Sequence, residues 1–194
     1  MKPSRQNLRI PGPTPCPPEI MSALTGPMIN HRGPEFKEIL YGVTEKLKRV
    51  FMTDNDVYIL TASGTGALEA ALVNTLSPGD KVLAAITGSF GKRFADIAEA
   101  HGSHVARLEF EWGTSADPRV IRVALEKDPD IKAVLVTHNE SSTGVTNDLE
   151  GVSDVVKGEF DKLLLVDAIS SLSCIPVNTD QWGCDVVAAG SQKG

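Results

Sequence analysis

Apolar residues in this chain fall into short runs separated by amphipathic stretches, and the two alternate over most of its length. The runs "VYIL" (57–60), "KVLAAI" (81–86), "HVARLEF" (104–110), "IKAVLV" (131–136), "KLLLVDA" (162–168) and "CDVVAAG" (184–190) have strand length and strand composition. Between them "GTGALEAALVNTL", "FGKRFADIAEA", "PRVIRVALEK" and "LEGVSDVVKGE" read as helices, and "SPGD" (77–80) as a turn. Two more helical stretches lie upstream, near 18–25 and 34–52. In the second, Phe36, Ile39, Leu40, Val43, Leu47 and Val50 recur at a helical period. The first 18 residues hold six prolines, which predicts an extended arm rather than a helix. Residues 1–18 are therefore assigned to the arm and 19–194 to one domain.

Short apolar strands separated by single helices imply βαβ units. The fold class is α/β, a mainly parallel sheet with flanking helices. Ligands of such sheets bind beyond the carboxyl ends of the strands, so the residues just past each run are the candidates for chemistry.

Composition narrows the class. With 194 residues, 41% of them hydrophobic and 23% charged, the chain is long enough for one sizeable core and too apolar to be disordered. A net charge of −6 gives no reason to expect nucleic acid or an anionic membrane as partner. Cys16, Cys174 and Cys184 are odd in number and lack CxxC spacing, which reads as free thiols in a reducing compartment. No apolar stretch has the length of a membrane span, and "MKPSRQNLRIPGPTPCPP" lacks the apolar core of a signal peptide, so the expected location is cytoplasmic.

Five clusters follow the strands. After 57–60 comes "TASGTGALEA", where Ser63 suits a helix N-cap and Gly64 and Gly66 permit close backbone approach. With Thr65, the free amides there form either a phosphate cradle or a plain strand-to-helix turn. The stretch is neither a P-loop nor GxGxxG, since Glu69 stands where the third glycine belongs. After 81–86, Phe90 lies between glycines, as a plate for a flat ring or as a core anchor. After 131–136, "THNESSTGV" packs His138, Asn139, Glu140, Ser141, Ser142 and Thr143 into a polar loop denser than a structural connection needs. Asp167 ends an apolar run and must find a partner: a loop amide, a basic side chain or a protonated ligand nitrogen. Lys193 follows "CDVVAAG", either as a solvated loop residue or as an amine desolvated enough for carbonyl chemistry. His101 and His104 form an HxxH pair with no third ligand at a useful spacing, and no metal is expected.

A phosphate cradle, an aromatic plate, a polar loop, a buried acid and an amine are together the partners that pyridoxal 5′-phosphate requires. The blocks "SGTGALEAAL", "THNESSTGV", "LLLVDAISSL" and "AGSQKG" also resemble the large domain of class V pyridoxal-phosphate aminotransferases, in the expected order. The N-terminal "PGPTPCPPEI" and "HRGPEF" fit the alanine–glyoxylate and serine–glyoxylate branch. The resemblance implies an aspartate aminotransferase-like fold ending just after the Schiff-base lysine, with the smaller C-terminal domain lying beyond this chain.

Roles follow from the same resemblance. Lys193 would carry the internal aldimine and move the proton from the substrate Cα, and Asp167 would keep the pyridine nitrogen protonated. Ser63, Gly64 and Thr65, with Gln192, would hold the phosphate. Phe90 would stack on the ring, where the family often has tryptophan. Asn139, Ser141 and Thr143 would meet the face or phenolic edge, and Gly12 would lie near the substrate carboxylate. The implied reaction moves an amino group from alanine or serine to glyoxylate or pyruvate, in a homodimer of the whole protein. The arginine that grips the substrate carboxylate is expected from the part beyond this chain, and apolar surface is expected to stand uncovered without it. Two alternatives stay open: a cysteine desulfurase-like lyase on the same fold, and an inactive fragment that only binds or dimerises.

Overall fold

Residues 8–193 are described by the computed structural model; residues 1–7 of the expected arm and Gly194 lie outside the described residues. In chain order the strands are β1 (Lys81–Ile86), β2 (His104–Glu109), β3 (Ile131–Thr137), β4 (Asn139–Glu140), β5 (Val145–Thr146), β6 (Leu163–Asp167) and β7 (Val186–Ala188). The helices are α1 (Pro18–Ala23), α2 (Pro34–Phe51), α3 (Gly64–Thr75), α4 (Ser89–Ala100), α5 (Pro118–Lys127) and α6 (Leu149–Ser153). Five strands form one sheet in the order β2-β1-β3-β6-β7, and β4 and β5 form a separate antiparallel ladder. Every pair in the large sheet is parallel, as the single-helix crossovers require.

Both faces of the sheet are covered, which explains why its central strands are continuous apolar runs rather than alternating ones. Leu83, Val134, Val136, Leu164 and Val166 point to one face, where Ile121 and Leu125 of α5 and Val152 of α6 pack on them. Val82, Ala84, Ile86, Ala133, Leu135 and Leu165 point to the other, against Leu68 and Leu72 of α3 and Phe94 of α4. Burying each of the Val, Leu, Ile and Phe side chains among these contributes roughly 1.5–3 kcal/mol.

The chain leaves β1 toward β2 on one side and returns to β3 on the other. This reversal opens a crevice beyond the carboxyl ends of β1 and β3. Thr87–Phe90 and His138–Ser142 meet there.

Four expectations need correction. The run 57–60 forms no strand: Tyr58, Ile59 and Leu60 are 80%, 53% and 48% exposed, because no other strand among the described residues pairs with them. The stretch 184–190 shortens to the three residues of β7. The helix expected over 149–159 is α-helical only through Ser153 and continues as a π-helix over Asp154–Glu159. The polar loop is not irregular, since β4 and β5 close it into a hairpin paired Asn139↔Thr146 and Glu140↔Val145.

Helix α2 forms as its periodicity predicts, yet none of its residues is buried, and Ile39, Leu40, Val43 and Val50 stand exposed. Its C-terminal end is moored by Asp180, which accepts from Thr53 Oγ1 (2.5 Å), Asp54 N (2.8 Å) and Asn55 Nδ2 (3.1 Å). The uncovered apolar surface expected from the sequence is thus present on α2 and on 58–60.

Candidate active site

Each candidate residue sits at or just past the carboxyl end of the sheet, and local structure fixes how it arrives there. Ser63 caps α3, its Oγ accepting the Gly66 amide at 3.3 Å. Gly64 is buried against Ile169, and a Cβ there would lie 2.6 Å from Ile169 Cδ1, so a larger residue would require the Ile169 side chain to move. Thr65, like Ser63, is exposed. These residues leave backbone amides of the first α3 turn open at the rim, as an anion requires.

Asp167 is the last residue of β6 and only 3% exposed. One carboxyl oxygen accepts from the Ile169 amide at 2.9 Å. Among the described residues no basic side chain forms an ion pair with it. Burial pushes its pKa up to about 6, opposed by the Ile169 N–H, helped by the nearby Glu140 charge and opposed again by Lys193. A carboxyl group held in this way gains from any cation that arrives beside it.

Lys193 is half-buried, and its Nζ lies 5.4 Å from the centroid of the Phe90 ring. The arm reaches the same place: the Thr14 amide donates to the Gln192 carbonyl at 2.9 Å. A Cβ on Gly12 would lie 2.9 Å from Lys193 Cδ and 3.0 Å from the Gln192 oxygen, so glycine is what lets the arm approach the lysine. Gln192 itself is exposed.

The hairpin residues divide. Asn139 Nδ2 donates to Ser170 Oγ at 2.9 Å, and Ser170 Oγ donates to the Asn139 carbonyl at 2.9 Å, which ties the hairpin to the turn after Asp167. Thr143 reaches the Thr87 carbonyl at 3.5 Å. Ser141 is half-buried. His138 turns away from the rim and packs edge-on against Trp182, with ring centroids 6.0 Å apart, and burial holds its pKa below the usual value.

Residues without an assigned role complete the corner. Glu140 is fully buried and accepts the Phe90 and Gly91 amides at 3.0 and 2.9 Å. Asn147 accepts the Ala116 amide (2.7 Å) and donates to Thr87 Oγ1 (3.1 Å) and the Thr137 carbonyl (2.7 Å). One signal was available: the N-cap of α4 is Gly88, which offers no side-chain cap, so the helix's first amides need acceptors from elsewhere.

His101 pairs with Glu69 at 3.1 Å and His104 opens β2, so the HxxH residues serve the surface and a strand start. Among the described residues no three His, Cys, Asp or Glu side chains group as metal ligands would. No helix among them is long and apolar enough to cross a membrane.

Comparison with known proteins agrees with this fold. An uncharacterised aminotransferase of Methanocaldococcus jannaschii is 46% identical over 186 residues, covering 96% of this chain and 48% of that protein. A serine–glyoxylate aminotransferase of Methylorubrum extorquens is 42% identical, covering 100% of this chain and 49% of the relative. The crystal structure of an alanine–glyoxylate aminotransferase from Nostoc sp. superposes with a TM-score of 0.91 at 34% identity, over 100% of this chain and 52% of that one. The chain thus spans about half the length of the curated relatives it matches. The family described as "Aminotransferase class-V" matches residues 19–194, and the chain belongs to that family.

Proposed function

We propose that this chain carries the pyridoxal-phosphate-holding part of an aminotransferase that moves an amino group from a small amino acid, alanine or serine, to glyoxylate or pyruvate. In this reading residues 19–194 are the large domain and residues 1–18 the N-terminal arm, of which Gly12 and Thr14 meet Lys193 and Gln192. The observation that carries it is the presence at one rim of Lys193, with its Nζ 5.4 Å from the Phe90 ring centroid, and of Asp167, a buried acid that forms no ion pair among the described residues.

The residues present fit the cofactor. The open α3 amides with Ser63, Gly64 and Thr65 suit a phosphate, joined by Gln192. Phe90 offers a flat apolar face to a ring. Asp167 would offer its carboxylate to a protonated ring nitrogen, whose charge would offset the desolvation that raises the acid's pKa. Asn139, Ser141 and Thr143 stand on the hairpin side for the ring's oxygen. When bound, pyridoxal phosphate supplies an aldehyde for amines and a ring that draws electrons from the substrate Cα.

Lys193 would act through its Nζ, as the amine that anchors the cofactor and as the base that moves the proton away from the substrate Cα. Gly12, packed on the Lys193 stem, keeps the arm close enough to border the substrate carboxylate and to exclude water. Phe90 favours transamination over the desulfurase-like alternative, which prefers histidine as the stacking residue. The whole protein is read as a cytoplasmic homodimer, in keeping with the exposed apolar face of α2.

The test is the half-reaction. The protein extended past Gly194, so that the arginine expected beyond this chain is present, should when loaded with pyridoxal phosphate lose its visible absorbance band on addition of L-alanine or L-serine, and glyoxylate should restore it. A band that persists with both amino acids would remove transamination from the reading.

A further inference from the structure

We propose that Glu140 is the positioning residue of the site, holding the first turn of α4 so that Phe90 presents its ring beside Lys193. This rests on the cofactor reading above and goes beyond it, because Glu140 holds protein groups and is given no contact with cofactor or substrate.

The geometry is specific. Three consecutive amides at the start of α4 end on the hairpin after β3. Ser89 N–H donates to Ser142 Oγ (2.9 Å), and the Phe90 and Gly91 amides donate to Glu140 Oε2 (3.0 and 2.9 Å). Ser142 donates in turn to Glu140 Oε1 from its hydroxyl (2.7 Å) and its amide (3.1 Å). Both carboxyl oxygens are therefore occupied by donors. The corner is cut to admit them: a Cβ on Gly88 would lie 2.5 Å from both Glu140 Cγ and Ser142 Oγ.

Helix capping alone does not call for this arrangement. Ser63, Asp117 and Asp148 cap α3, α5 and α6 from the adjacent position in sequence, without burying an acid. Among the described helices, only α4 takes its acceptor from a fully buried carboxyl group about fifty positions away. Burying an acid is expensive even when its oxygens are satisfied. What the arrangement adds is a rigid joint between the two chain segments that meet where the sheet reverses direction, and Phe90 is the side chain that joint aims. The second consequence is electrostatic: the Glu140 charge acts on Asp167, so the joint is coupled to the acid of the site as well as to its plate.

The test uses Glu140→Gln and Ser142→Ala in the whole chain, with two readouts. Amide exchange at 89–91 without cofactor reports the joint. The affinity for pyridoxal phosphate and the circular dichroism of the bound chromophore report the aim of the ring. Glu140→Gln turns one acceptor oxygen into an NH₂ group that faces donors, so it should speed exchange at Phe90 and Gly91 by about tenfold or more. It should also weaken pyridoxal phosphate binding by about tenfold and shrink the dichroic band. Ser142→Ala should reproduce a weaker form of both, centred on Ser89. Should Glu140→Gln lose its cooperative melt, Ser142→Ala carries the same two readouts.

Faster exchange with unchanged affinity and dichroism would make Glu140 a purely structural cap and overturn the proposal. So would unchanged exchange. If the unsubstituted chain itself takes no cofactor on Lys193, the reading of the site fails and this proposal falls with it. That outcome is separated from the others by the unsubstituted control.

Discussion

Replacing Asp167 by asparagine should make the cofactor-free chain more stable at neutral pH, and the gain should vanish in acid. Asp167 has a folded pKa of about 6 against an ordinary value of 3.8, chiefly because it is buried. The unfolded chain therefore gives up this proton first. As pH rises from about 4 to 6 the unfolded state is favoured progressively, and the penalty is fully present above about pH 6. A rise of this size in the folded pKa corresponds to about 3 kcal/mol. Asparagine keeps an oxygen for the Ile169 amide and carries no charge to desolvate. Urea unfolding of both chains between about pH 4 and 7.5, without cofactor, reads the difference directly. The two should be alike near pH 4, and Asp167→Asn should lead by up to about 3 kcal/mol at pH 7. With pyridoxal phosphate present the lead should shrink or reverse, since the cofactor would lose the partner of its ring nitrogen. A difference that is constant over the whole range, or a wild-type chain that gains on the variant as pH rises, would refute the claim that burial governs this acid.

Three further outcomes follow from the same geometry. Gly12→Ala places a methyl group 2.9 Å from Lys193 Cδ, so the Thr14–Gln192 hydrogen bond should open and the Thr14 amide should exchange faster while core amides do not change. Asn147→Ala strips partners from Ala116, Thr87 and Thr137 in a buried corner and should cost on the order of 3 kcal/mol in chemical denaturation. The Cys184 thiol, pushed up to about 12 by burial, should react with a thiol reagent far more slowly than exposed Cys16 and Cys174 until the chain is unfolded.

The sheet was legible where both faces of a strand are buried. "KVLAAI", "IKAVLV" and "LLLV" announce β1, β3 and β6 because nearly every side chain in them faces protein. "VYIL" carries the same local signal and forms no strand, because a strand also needs a neighbouring backbone, and pairing leaves no mark in four residues. The hairpin at 139–146 escaped for the opposite reason: a two-residue ladder of mostly polar side chains shows no alternation.

The site divides along the same line. Lys193, Asp167 and Phe90 stand out as candidates in the sequence because each closely follows or ends a strand, and strand ends are where this architecture puts its chemistry. Glu140 was visible only as one of six polar residues in a loop. Its task depends on amides 49 and 50 positions away, which sequence spacing does not reveal. His138, in the same loop, turned inward to Trp182.

The most direct measurement of the central claim is borohydride reduction of the chain with pyridoxal phosphate, followed by mass spectrometry of its peptides. A phosphopyridoxyl mass confined to the Lys193 peptide is the predicted result. Labels scattered over surface lysines, or a Lys193 peptide that remains unmodified, would contradict the assignment of this lysine as the amine on which the site is built.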